Sequence, residues 1–221
     1  MTAVEVTMAE ASAQTAGVAP LSATLWAENA DLAERILAHG FVRGLADGSL
    51  QIQRFKGYVA QDAYFLEAFA RAYAFCLANS TSREDLYGFA DLIAGVLDEL
   101  KLHRRYAERW QVDLSCVTPV EATKAYVDFL LETARRGDLG ETIAAMTPCM
   151  RLYAFLGRSL AARTVEPLYA EWVKTYADPG FEALAARVEA LLDLHAKDCD
   201  TVRAAYRRAM ELEYGFFDAN V

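Results

Sequence analysis

From Leu21 to Asn220 the apolar residues recur every three or four positions, the period of helices that each bury one face. Between Ser22 and His39, Leu25, Ala33, Ile36 and Leu37 keep that spacing and predict one helix. Gly40, Gly44 and Gly48 then read as breaks. Gln51 to Asn79 predicts a long helix with Phe55, Tyr58, Asp62, Phe65, Phe69 and Tyr73 along one broad face. Ser80-Thr-Ser-Arg-Glu84 offers hydroxyl caps followed by acid, the start of a helix running to about Val112. Pro119 opens the next, which passes through Tyr126 and Leu130 and ends near Gly137. Asp138 to about Arg163 reads as a helix that contains Pro148 and Cys149. Pro167 opens a short helix to Tyr176, and Asp178-Pro179-Gly180 punctuates before a helix ending near Ala196. The last helix spans about Asp198 to Asn220. There is no long alternating strand pattern, no βαβ rhythm and no repeat of solenoid period. The fold class is therefore all-α, a compact helical bundle. Residues 1–20 lack a clear period and read as a flexible leader, with residues 21–221 forming a single domain.

Composition narrows the function classes. Hydrophobic residues make up 54% and charged residues 24%, a globular rather than a disordered balance. A net charge of −9 disfavours nucleic acid and anionic membrane as partners, because both need a basic face. No uncharged apolar run is long enough to span a bilayer, and residues 1–20 show no secretory signal. Cys76, Cys116, Cys149 and Cys199 form no CxxC pair, so a structural zinc site is disfavoured. Free thiols and no export signal point to a cytoplasmic protein.

Three places carry candidate chemistry. The first is Met146-Thr-Pro-Cys-Met-Arg-Leu-Tyr153. A proline inside a helix predicts a kink and deprives the carbonyl of Ala144 of its usual donor. Tyr153 follows Cys149 by four residues, so thiol and phenol share one face. That pair reads either as a nucleophilic site or as a packed core cysteine in a bent helix. The second is Asp62, an acid in line with Tyr58, Phe65 and Phe69. It is either offered to a polar ligand, bonded to another helix, or turned outward. The third is Glu213, on a stripe with Tyr206, Met210 and Phe217, flanked by Phe216. Burial there would raise its pKa and suit it to acid–base work; the alternative is an exposed glutamate like Glu211. No histidine has a glutamate three residues before it, so a di-iron site lacks its ligands. A haem site needs one histidine, which composition leaves open. The run His103-Arg-Arg-Tyr106 reads as a solvated helix face.

Taken in order, Asp47-Gly-Ser-Leu50, Tyr58-Val-Ala-Gln-Asp62, Ala125-Tyr126, Pro148-Cys149-x-x-x-Tyr153, Trp172-x-x-x-Tyr176 and Glu213 with Tyr214, Phe216 and Phe217 resemble the TenA family of thiaminase II enzymes. The resemblance covers about residues 21 to 220. It implies a fold like haem oxygenase, without haem or any other cofactor or metal, and a cytoplasmic homotetramer. It implies hydrolysis of 4-amino-5-aminomethyl-2-methylpyrimidine to the hydroxymethyl pyrimidine and ammonia in thiamin salvage, with cleavage of thiamin in many members. Carried onto this chain, Cys149 is the nucleophile and Glu213 protonates a ring nitrogen. Asp62 bonds the exocyclic amine, Tyr126, Tyr153 and Tyr176 order the pocket, and Phe65 and Phe216 wall the ring. Phe65 stands where many members carry a tyrosine, Phe217 where tryptophan is frequent, and Arg151 where an aromatic is common. These departures bear on substrate preference. Two other function classes remain beside the hydrolase: a non-hydrolytic pyrimidine-binding or regulatory protein, and a different haem oxygenase-like enzyme.

Overall fold

A computed structural model describes residues 19–161, 163 and 167–220. The expected leader lies almost entirely outside these residues. The described residues form ten helices: α1 (Leu21–Glu28), α2 (Ala30–Leu37), α3 (Gly40–Asp47), α4 (Ile52–Asn79), α5 (Arg83–Trp110), α6 (Glu121–Arg136), α7 (Leu139–Ala161), α8 (Ala170–Tyr176), α9 (Pro179–His195) and α10 (Asp200–Asp218). No strand occurs among them.

The centre of the molecule is α7. Every residue from Thr142 to Ala154 is buried. A helix apolar on all sides has no solvent face and must be wrapped by others. Around it pack α4, α6, α8, α9 and α10, while α5 lies against α4 and α9. The helix continues through Pro148 to Ala161, so the proline does not end it. Its neighbour Thr147 turns its hydroxyl back to the carbonyl of Ile143 at 2.8 Å. Cys149 thus sits in the middle of the most enclosed element of the fold.

Three sequence expectations change. The helix expected over Ser22–His39 is two, α1 and α2, meeting at Asn29. The Asn29 side chain donates to the carbonyl of Leu25 at 2.8 Å, and its own carbonyl accepts from Leu32 and Ala33. Apolar spacing carries across such a joint unchanged. Gly40 and Gly44 are not breaks but lie inside α3; only Gly48, with φ 78°, ends it. Gly44 is small because Leu50 folds back onto it: a Cβ there would stand 2.8 Å from the Leu50 Cβ. Last, α8 begins at Ala170, three residues beyond Pro167.

Candidate functional site

Several helices aim side chains at one buried volume. From α7 come Cys149 and Tyr153, one turn apart on the face turned toward α4 and α10. From α4 come Tyr58, Asp62 and Phe65; from α10, Glu213, Phe216 and Phe217; from α6, Tyr126; from α8, Trp172 and Tyr176. All are buried. Cys149 is 8% exposed, Asp62 3% and Glu213 1%, so the site is packed nearly shut.

The polar groups form linked sets. Tyr126 donates its hydroxyl to Oε1 of Glu213 at 2.8 Å. The Cys149 thiol faces the same carboxyl, and each acts on the other's titration. Burial, reinforced by the charge of Asp62, pushes Glu213 up to about 8 despite the Tyr126 hydroxyl and the neighbouring thiol. Burial first, and the Glu213 carboxyl second, hold the thiol well above its ordinary value. Cys149 is therefore a thiol, not a thiolate, at rest.

Asp62 is met by His103 of α5, with Nε2 2.7 Å from Oδ2. The other ring nitrogen lies 3.0 Å from the carbonyl of Glu99, an acceptor only, so Nδ1 carries a proton. Desolvation works against a charge on His103, but the Asp62 carboxylate outweighs it and raises the imidazole, which favours the imidazolium. Of the three readings of Asp62, the structure shows the one bonded to another helix. The bond occupies Oδ2 and leaves Oδ1 without a hydrogen bond to the described residues. A third set joins Tyr58 to Tyr153 at 3.3 Å and Trp172 to Tyr58 at 3.2 Å. Tyr176 donates to Oε1 of Glu99 at 2.5 Å.

Rings make the walls. Phe65 lies 4.6 Å from Tyr126 and 5.9 Å from Phe216, centroid to centroid. Tyr153 lies 4.7 Å from Tyr176. Such walls suit a flat aromatic ligand. Tyr126 sits on Glu213, so this hydroxyl stands close to Phe65, where a second one is lacking.

All the predicted site residues therefore converge: Cys149, Glu213, Asp62, Tyr126, Tyr153, Tyr176, Phe65 and Phe216. His103 is a correction. It is 1% exposed rather than solvated. In His103-Arg-Arg-Tyr106 the first and last residues face inward and the arginines outward, as offsets of three and of one dictate. Glu99 joins the site as a partner that the sequence did not reveal, and Tyr58, read from the sequence only as part of the α4 aromatic face, joins through its hydroxyl. Arg151 turns its guanidinium to Glu182 and Glu189 of α9 and is satisfied there.

Among the described residues no group of three or more histidines, cysteines and acids is placed to hold a metal. No helix there is long and apolar enough to cross a membrane. A cavity of about 710 Å³ between α4, α5 and the 112–117 segment is not lined by Cys149. The converging groups lie in the closed interior, not in that groove.

The model of the TENA/THI-4/PQQC family matches residues 26–221. A mitochondrial bifunctional TH2 protein of Arabidopsis thaliana is 34% identical over 79% of the chain and 33% of its own length. The chain thus spans about a third of that relative. A protein of Halalkalibacterium halodurans named aminopyrimidine aminohydrolase is 32% identical over 81% of the chain and 86% of its own length. The crystal structure of a protein from Silicibacter sp. TM1040, described as a TenA family transcription regulator, superposes with a TM-score of 0.84. It is 26% identical and covers 90% of this chain and 95% of its own.

Proposed function

The chain belongs to the TENA/THI-4/PQQC family, and from that premise we propose that it hydrolyses aminopyrimidines of thiamin salvage through a cysteine nucleophile. The preferred substrate is 4-amino-5-aminomethyl-2-methylpyrimidine, which yields the hydroxymethyl pyrimidine and ammonia; thiamin is a second substrate. The relative named aminopyrimidine aminohydrolase supports the reaction class. One observation carries the mechanism: the Cys149 thiol and the Tyr126 phenol share the buried Glu213 carboxyl.

A resting thiol adds to a ring only if its proton has somewhere to go. Glu213, pushed up to about 8, holds a proton at neutral pH. It gives that proton to a ring nitrogen as the Cys149 sulfur bonds the adjacent carbon, and it takes the thiol proton in exchange. The ring nitrogen thus gains no net charge, and such a positioned acid contributes on the order of 10²–10⁴-fold. Asp62 offers Oδ1 to the exocyclic amine, with its orientation fixed by His103. Phe65 and Phe216 wall the ring, and Tyr126, Tyr153 and Tyr176 order its polar edge.

A regulatory role has in its favour the Silicibacter relative, described as a transcription regulator. A site for binding alone has no use for a thiol on a proton-carrying acid, and a net charge of −9 opposes DNA. We further propose a cytoplasmic homotetramer of single-domain subunits, which light scattering tests. The deciding experiment is ammonia release from the aminomethyl pyrimidine, beside thiamin cleavage, with Cys149→Ser as control. Turnover that vanishes in the control is the expected result. Turnover kept in the control removes Cys149 from the mechanism, and none in the folded wild type removes the hydrolase.

A further inference from the structure

We propose that Glu99 supplies and recovers the reaction's second proton through Tyr176, and trades it with solvent by way of a separate opening on the α5–α8–α9 side of the molecule. The proposal rests on the hydrolase reading and goes beyond it.

Hydrolysis of an aminomethyl group needs two proton transfers that Glu213 does not make. The departing nitrogen must gain a proton to leave as ammonia, and the attacking water must lose one. Glu213 is already committed to the ring nitrogen and the thiol. Another acid–base group must reach the exocyclic carbon and, between turnovers, the outside.

Glu99 has both connections. Inward, its Oε1 accepts from Tyr176 at 2.5 Å, and Tyr176 stands ring to ring with Tyr153 at 4.7 Å. Outward, Glu99 lines a cavity of about 510 Å³ together with Met150, Arg105, Lys174 and Phe181. Met150 is the residue next to Cys149, so this cavity and the thiol lie on adjoining faces of α7. Glu99 is half-buried, where the nucleophile and Glu213 are closed off. It stands between the interior and solvent.

The groups around Glu99 set when it carries a proton. Burial raises it, and the Asp62 charge from α4 adds to that. His103 on its own helix and the Tyr176 hydroxyl from α8 oppose the rise. From α4 also come the neutral phenols of Tyr58 and Tyr73, and from α7 the neutral Cys149 thiol. The cavity adds Asp98 and Arg105 of α5, Glu171 and Lys174 of α8, and Asp178 before α9; α9 itself presents only Gly180, Phe181 and Leu184. The balance places Glu99 at about 7, where it is neither fixed acid nor fixed base.

The steps balance. Protonated Glu99 donates to the Tyr176 oxygen while the Tyr176 hydrogen passes to the departing nitrogen. The carbon–nitrogen bond breaks, its electron pair stays on nitrogen, and ammonia and a Glu99 carboxylate result. Water oxygen then bonds the exocyclic carbon. Its proton goes to Tyr176, and the phenol's own proton returns to Glu99.

Because Glu99 acts through Tyr176 it is a positioning residue, and the test needs readouts that simple packing would not move. In Glu99→Gln, kcat for the aminomethyl pyrimidine is expected to fall by about 10²-fold with KM little changed. The limb of the pH profile near 7 should vanish, and Tyr176→Phe should remove the same limb. In Glu99→Ala, formate or acetate entering by the cavity should restore part of the rate. An unchanged pH limb in Glu99→Gln, a rise in KM with kcat kept, or no rescue by either acid overturns the relay. One readout needs no substrate. Two infrared carbonyl bands of protonated carboxyls should titrate in the wild type, one at about pH 7 and one at about pH 8 from Glu213, and only the first should be missing in Glu99→Gln and kept in Glu213→Gln. That first band in a protein without turnover sinks the hydrolase and keeps the exchanging carboxyl; turnover without it sinks the relay and keeps the hydrolase.

Discussion

Glu213→Gln should stabilise the protein while ending its turnover. In the folded protein burial raises Glu213 from 4.5 to about 8. The unfolded chain keeps an ordinary carboxyl, so between these two values the folded state binds more protons than the unfolded one. Stability attributable to this group is therefore unimpaired below about 4.5 and falls as pH rises, flattening above about 8. Each pH unit in that window corresponds to about 1.4 kcal/mol, so the penalty at neutral pH is about 3 kcal/mol. This is a ceiling, because dipoles around the site reorganise toward a charge, and about half of it is the expected effect. A glutamine has no charge to lose. It can still accept from Tyr126 and face Cys149, so little is given up in exchange. The assay is urea denaturation of wild type and variant across a pH series, read as the difference in unfolding free energy. The difference should be near zero in acid and grow toward about 1.5 kcal/mol in favour of the variant at neutral pH. A difference that does not depend on pH, or a variant less stable above neutrality, would refute the reasoning.

Two further outcomes are expected. Asp62→Ala removes the partner of His103 and, on the proposed reading, the oxygen offered to the exocyclic amine, so calorimetric affinity for the hydroxymethyl pyrimidine should fall by at least about tenfold, alongside turnover; unchanged affinity would take Asp62 out of the pocket. Gly157→Ala would place a Cβ 2.3 Å from the Tyr176 carbonyl carbon, a collision with backbone that should lower thermal stability by about 1–3 kcal/mol and displace Tyr176; a variant of unaltered melting temperature would show that α8 can retreat freely.

The sequence is informative where a pattern repeats and silent where a single bond decides. The aromatic face of α4 and the stripe on α10 follow from offsets of three, four and seven, and these place Asp62 and Glu213 among rings. Offsets do not say what lies opposite. The partner of Asp62 is His103, forty-one residues away on another helix, and its neighbours Arg104 and Arg105 give the run a solvated look. Glu99, four residues before His103, suggests at most a weak metal pair, because nothing local tells that Tyr176 arrives beside it. Gly40 and Gly44 look like breaks because glycine is rare inside helices, yet Gly44 is there to admit Leu50. Arg151 looks like a change in the pocket; Glu182 and Glu189, which draw it to α9, lie a full helix further on.

The protonated state of Cys149 also decides how the protein ages. Oxidants and electrophiles attack thiolates, and the rate follows exposure as well as charge. Cys199 is exposed, and its bond to Thr201 lowers its pKa, so it meets peroxide first. Cys116 is exposed too. Cys149, kept as S–H first by burial and then by the Glu213 carboxyl, offers such reagents almost nothing. In the proposed mechanism its reactivity is switched on by a ring that can take a proton from Glu213, and molecules without one leave it intact. The surface cysteines can be lost to oxidation while the interior thiol survives for the next substrate.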